Sequence, residues 1–276
     1  MIKIMVDSAS DCRKNDSNCD LFIPLTVNID GTEYLDGETL ESNTFYDLLV
    51  NAEEFPKTSQ PSPQRFVEIF EQIKESKEEL IYISLSAGLS GTYQSAMLAK
   101  DIVDYDGIYV INSNTATHGI RFLLDYAKKL VSEEKSAIEI VDALEAVKGK
   151  VKIIAGLDTL EYLQKGGRLS KTAAAVGELA NIKPLITLSE DGKVNAYCKC
   201  LGPVRAIKHI MNDIELYEID ESFPFYTIYT MGEEHTEKLE SKLIAKGYNV
   251  KGRLQVGSTI GAHIGPGAYG VVFVAK

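Results

Sequence analysis

The sequence predicts an α/β protein in two domains. Residues 1–149 read as an N-terminal parallel-sheet α/β domain with a small β-hairpin excursion, and residues 150–276 as a C-terminal α/β domain of mixed and antiparallel strands. Three observations predict this. The first half repeats one device: a short apolar, β-branched run, a turn rich in Ser, Asn and Thr, then a helix-periodic stretch, which is the grammar of a parallel sheet. The second half carries a hairpin signal, Asp191-Gly192 between two strand-like runs, and mixes such strands with helices. The charge changes as well, from 14 Lys/Arg against 26 Asp/Glu in residues 1–150 to 15 against 14 in residues 151–276. No internal repeat, low-complexity tract or long linker interrupts the chain, and Gly149 is the natural boundary.

Taken in order, Ile2–Val6 reads as the first strand and ends in Asp7-Ser8-Ala9-Ser10-Asp11. A polar cluster there lies where open α/β sheets place ligands. Asp and Ser also cap helices, and the two roles are compatible. Residues 21–39 alternate and turn at Asp30-Gly31, the hairpin excursion. Phe45–Val50 is a short helix. Pro61 and Pro63 hold Thr58-Ser59-Gln60-Pro61-Ser62-Pro63 extended, with two exposed hydroxyls ahead of a helix from Gln64 to near Lys77. Leu80–Ile83 is a buried strand and Tyr93–Lys100 a helix. Ile108–Ile111 is a further strand, followed by the polar turn 112–119 and helices near 119–131 and 137–148.

In the second half Val151–Gly156 is a strand, and a helix over Asp158–Lys165 stops at Gly166-Gly167. Beyond Arg168, the segment Thr172–Asn181 is a helix rich in Ala and Gly, which permits close packing or leaves space beside it. Pro184–Leu188 and Val194–Cys198 form the hairpin. A helix over 203–216 carries Arg205, Lys208 and His209. Then come strand Phe225–Tyr229, helix Glu233–Lys246, strand Val250–Val256 and a final strand Val271–Val274. Before that last strand, the glycines and proline of Gly261–Gly270 read as a tightly shaped turn holding His263.

Between Ile83 and Tyr93 lies Ser84-Leu85-Ser86-Ala87-Gly88-Leu89-Ser90-Gly91-Thr92. A strand, a Gly/Ser turn and a helix in that order aim free backbone N–H groups, and the positive end of the helix dipole, at one point. No GKS or GKT follows, Gly88 and Gly91 have no third partner for G-x-G-x-x-G, and no cation stands in the loop. Such a loop suits a singly charged carboxylate better than a phosphate. An ordinary, well-capped βα turn is the other reading.

The net charge of −11 argues against nucleic acid as a partner. No apolar run approaches the ~20 residues that span a membrane. The chain does not open with a basic region followed by a long apolar stretch, so cytoplasm is the expected location. Cys198-Lys199-Cys200 points two thiols to one strand face, but no second pair stands at zinc-site spacing, so no metal is expected.

Five segments together resemble the DegV family of bacterial fatty-acid-binding proteins: Asp7–Asp11, Thr58-Ser59-Gln60-Pro61, Ser84–Ser95, Leu163-Gln164-Lys165-Gly166-Gly167-Arg168, and Gly261-Ala262-His263 with Gly265-Pro266-Gly267. They run from residue 7 to residue 270. Ala87 departs from the family, which often has a second serine there. The resemblance implies two α/β domains with a long-chain fatty acid, such as palmitate or oleate, between them. It implies that Thr58, Ser90, Gly91 and His263 hold the carboxylate and that Arg168 lies near the headgroup or a partner's approach. Arg205 is a second candidate for such a contact on charge grounds alone, because it too falls in the half without the large acidic excess, and ordinary solvated charge is the other reading. It also implies a carrier without catalytic residues or a cofactor, which presents its acid to a separate ATP-dependent fatty acid kinase that makes the acyl phosphate. The chemistry agrees, since hydroxyls, an N–H and an imidazole supply the donors a carboxylate needs. Two other classes stay open. Ser90 and His263 could serve an esterase as nucleophile and base, although Thr92 stands where G-x-S-x-G has its second glycine. A phosphate-substrate enzyme would lack a loop lysine.

Overall fold

The computed structural model describes residues 1–169 and 181–276. The first half runs β1 (Ile2–Asp7), β2 (Leu21–Ile23), β3 (Thr26–Ile29), β4 (Thr32–Leu35), α1 (Ser42–Asn51), β5 (Lys57–Ser59), α2 (Pro63–Ser76), β6 (Glu79–Ser84), α3 (Thr92–Val103), β7 (Ile108–Asn112), α4 (His118–Ser132) and α5 (Ala137–Lys148). The second runs β8 (Val151–Gly156), α6 (Glu161–Lys165), β9 (Ile182–Leu188), β10 (Val194–Leu201), α7 (Pro203–Ile214), β11 (Phe225–Tyr229), α8 (Glu234–Ala245), β12 (Val250–Gln255), α9 (Ser258–Ile264) and β13 (Tyr269–Val274). The small-residue helix expected over Thr172–Asn181 lies outside the described residues, Asn181 apart.

Four strands in the order β2-β1-β6-β7 form an all-parallel sheet. Six in the order β10-β9-β8-β13-β11-β12 form a mixed sheet, parallel only between β11 and β12. A small antiparallel sheet, β4-β3-β5, makes the excursion. The chain is thus mixed α/β, with a parallel first sheet and a mixed second one, and the sheet changes between α5 and β8.

The period-two alternation of the strands sets the layers. In the parallel sheet Met5, Leu80 and Tyr82 pack on Phe66 and Phe70 of α2 and on α3. Ile4, Val6, Ile81 and Ile83 point the other way, onto α4 and α5. Ile153, Ile228, Val272 and Val274 of the mixed sheet join that same cluster from its far side. Ile154, Val271 and Phe273 face α7 and α8. Helix α4 touches β1 and β6 of one sheet and β8 and β13 of the other, so one apolar layer is common to both. Helix α5 starts with a capping box: Ser136 Oγ accepts from Glu139 N (3.4 Å) while Glu139 Oε2 accepts from Ser136 N (2.9 Å).

Three elements differ from the sequence expectation. Leu21–Ile23 does not belong to the hairpin. Pro24 follows it, and it pairs in parallel with β1 at the edge of the main sheet. Thr58-Ser59 is a third strand of the excursion, its Thr58 opposite Val27. His263 is not held in a glycine turn but lies near the end of α9. The glycine that breaks the helical reading, Gly261, is there because Tyr46 and Phe45 fill the space a Cβ would need.

Candidate functional site

The strand-end cluster Asp7–Asp11 acts first as scaffolding. Asp7 accepts hydrogen bonds from Tyr82 Oη (2.7 Å), Leu85 N (2.8 Å) and Ala9 N (3.1 Å), which pins the start of the Ser84–Thr92 loop to β1. Burial outweighs these bonds and pushes its carboxyl up to about 6. Asp11 accepts from Gly257 N (2.8 Å) and from the Thr117 hydroxyl. Asp36 accepts from Thr259 N (3.0 Å) and Thr259 Oγ1 (2.6 Å), and Tyr46 Oη donates to Val256 O (2.9 Å). Four bonds from the first half therefore fix the entry and first turn of α9, and α9 carries His263.

Thr58, Ser90, Arg168 and His263 line one cavity, with about 750 Å³ of empty space counting its mouth. Its remaining walls are almost wholly aliphatic. Leu85, Leu89 and Ala116 come from loops at the ends of β6 and β7. Ile153, Ala155 and Ile186 come from the mixed sheet, and Ile260 and Ile264 from α9.

At the polar end, Thr58 Oγ1 and His263 Nε2 are 2.8 Å apart, though 205 residues separate them in sequence. His263 Nδ1 has no hydrogen-bond partner among the described residues and faces Gly166, where a Cβ would overlap it. Burial, with the Arg168 guanidinium adding to it, lowers the imidazole to about 3, so it is neutral at physiological pH. Arg168 donates from Nε to Leu89 O (2.9 Å) and from Nη1 to Gly166 O (2.6 Å), tying the Gly166-Gly167 turn to the Ser/Gly loop. Burial makes its proton less tightly held than usual. Ser90 Oγ lies 2.8 Å from Thr92 Oγ1 and accepts from Thr92 N (3.3 Å). Gly91 is the N-cap of α3, a helix of 12 residues whose first-turn N–H groups lack intrahelical acceptors. Its missing Cβ leaves room for Gln60, which donates to Ser95 Oγ (2.9 Å). Arg205 is elsewhere, exposed on α7, which packs on the face of the mixed sheet away from the cavity.

A nucleophile–base pair would need Ser90 joined to His263. Instead each hydroxyl and the imidazole has another partner, and no carboxylate among the described residues meets Nδ1. The hydrolase reading draws no support from this arrangement. Sequence reasoning missed Asp36, Thr259, Tyr46 and Gly166 as residues that place His263. Gly166 left a signal as half of the Gly166-Gly167 pair, whereas Asp36 is one acidic residue among Asp30, Glu33 and Glu38 of the hairpin region, and its partner lies 223 residues away.

Fold and cavity define a two-sheet α/β protein whose halves enclose a mostly aliphatic chamber with hydroxyls, an imidazole and a guanidinium at one end. The family model described as an uncharacterised protein of the DegV family matches residues 1–276, and the chain belongs to the DegV family. It is 37% identical over 279 residues to a DegV domain-containing protein of Caldanaerobacter subterraneus subsp. tengcongensis, covering 100% of this chain and 99% of the relative. Its fold matches a DegV family protein from Thermus thermophilus described as fatty acid binding, with TM-score 0.87, 29% identity and coverage of 100% and 99%. It also matches DegV of Bacillus subtilis, described as a fatty acid binding protein, with TM-score 0.83, 28% identity and coverage of 100% and 99%. No helix among the described residues is long and apolar enough to cross a membrane.

Proposed function

We propose that this chain binds a long-chain fatty acid in the cavity between its two sheets, tail among the aliphatic walls and carboxylate at Thr58, Ser90 and the Gly91 end of α3. The observation that carries the reading is the meeting of Thr58, Ser90, Arg168 and His263 at a chamber that is otherwise apolar. Fatty-acid-binding relatives of the same fold support it. Burying a tail contributes about 0.8 kcal/mol per methylene. Roughly 14 methylenes therefore supply on the order of 11 kcal/mol before ordering costs, and the polar end fixes orientation.

In this reading the neutral imidazole donates from Nε2 to Thr58 Oγ1, which leaves the hydroxyl proton free to be donated to the carboxylate. Arg168, already engaged with two backbone carbonyls, contributes charge rather than a two-pronged grip. The protein is a carrier, and a separate ATP-dependent kinase would phosphorylate the bound acid, with Arg168 near the headgroup and Arg205 on a remote face available to a partner.

Solvent extraction of the purified protein followed by mass spectrometry is expected to release a long-chain fatty acid. Added palmitate or oleate should also bind, and the methyl ester should bind poorly. Absence of both lipid and uptake, or equal affinity for acid and ester, would overturn the reading.

A further inference from the structure

On the face of the mixed sheet away from the cavity, three metal-ligand side chains meet. Strand β10 carries a bulge: Ala196 pairs with Ile186, but Cys198 pairs with the adjacent Leu185, so two residues of one strand oppose one of the other. Such an insertion reverses the side-chain alternation. Val194 and Ala196 pack with the cavity-side cluster, whereas Cys198 and Cys200 pack with the cluster under α7 and α8. Without the bulge, all four residues would share one face. Helix α7 then folds back over the strand it follows and presents His209.

The ligand atoms of Cys198, Cys200 and His209 lie within 4.8 Å of one another. The two sulfurs are 3.7 Å apart. A tetrahedral centre with metal–sulfur bonds of about 2.3 Å separates two thiolates by about 3.8 Å, so the thiols already stand at the edge length of such a site. His209 is exposed and free to close the remaining gap by rotating. Asp213, one turn further along α7, accepts from Tyr197 Oη (2.6 Å).

We propose that Cys198, Cys200 and His209 form a three-ligand site for a thiophilic divalent metal, zinc in the first instance, with its fourth position open. On binding, the two thiols release their protons to solvent and the neutral imidazole contributes a nitrogen lone pair. The site joins the end of β10 to α7 and is separate from the fatty-acid cavity.

The full-length chain, reduced with a phosphine and stripped with EDTA, is titrated with cobalt(II) and then with zinc chloride. One metal per chain is expected, with thiolate-to-cobalt charge-transfer absorption that zinc abolishes. Cys198→Ser and His209→Ala should each weaken binding at least about tenfold, while both variants keep wild-type circular dichroism and fatty acid uptake. His209 is on the surface, so its variant tests the site even if Cys198→Ser folds poorly. Absence of the charge-transfer band would overturn the proposal. So would wild-type cobalt affinity in Cys198→Ser or in His209→Ala.

Discussion

Thr58 Oγ1 is the hydrogen-bond partner of His263 Nε2, and both groups face the cavity. Thr58→Val keeps the shape and removes the hydroxyl. Losing one donor to a charged acceptor costs about 1.5–3 kcal/mol, so affinity for a free fatty acid should fall roughly ten- to hundredfold. The methyl ester should respond much less, and calorimetric titration of both ligands checks this. A second residue-scale expectation concerns pH. Burial raises Asp11 to about 8 and lowers His118 to about 4, so their 3.2 Å contact joins two neutral groups at pH 7. From the unfolded value near 3.8 up to about 8, the folded state holds the Asp11 proton and the unfolded chain does not. Stability therefore falls as pH rises through that window. Asp7, raised to about 6, acts in the same sense, whereas His118 and His263, both lowered, act in the opposite sense below pH 6.5. Above pH 6.5 the Asp11 contribution is unopposed by these histidines, and urea unfolding should show stability declining toward pH 8. Asp11→Asn should flatten the decline, and an unchanged slope in that variant would mean that another group titrates.

At the scale of elements, legibility followed how local the determining physics is. Helix α5 was readable because Ser136, Glu139 and the 3.6-residue apolar pattern all lie within it. Strands β8 and β11 were readable as short apolar runs between turns. Helix α9 was not, because its glycines answer to distant packing: Gly261 sits under Phe45 and Tyr46, some 215 residues earlier by the numbering. Strand β2 was misassigned because alternation alone does not say which sheet a strand joins. For the site, the sequence presented Thr58, Ser90 and His263 as exposed or turn-held groups, but nothing local says that they meet. Gly261→Ala tests the packing account of α9. A Cβ there would collide with Tyr46 Oη and strain its bond to Val256 O. Overpacking of this kind typically costs about 1–3 kcal/mol. Chemical denaturation should report that loss, and fatty acid affinity should drop with it because His263 rides on the same helix. A fully stable variant with normal affinity would show that α9 is placed by other contacts.

At the scale of the molecule, the division near Gly149 separates the sheets but not the core. Ile4, Ile81 and Ile83 of one sheet share a cluster with Ile153, Ile228 and Val272 of the other, through α4. Removing either half would expose the faces the other half covers, so residues 1–149 or 150–276 alone should be far less stable than the whole. The intact chain should unfold in one transition. The cavity walls also come from both halves. A ligand held there stabilises the folded state by mass action, about 2.7 kcal/mol at a free concentration one hundred times Kd. Because the two halves share one apolar layer, that stabilisation should appear in both. Hydrogen exchange with and without oleate, read on peptides from β6 and from β13, should show global-opening amides slowed by the same factor. The two strands lie on different sheets, so protection confined to one of them would mean that the halves open independently and that the ligand is held by one alone.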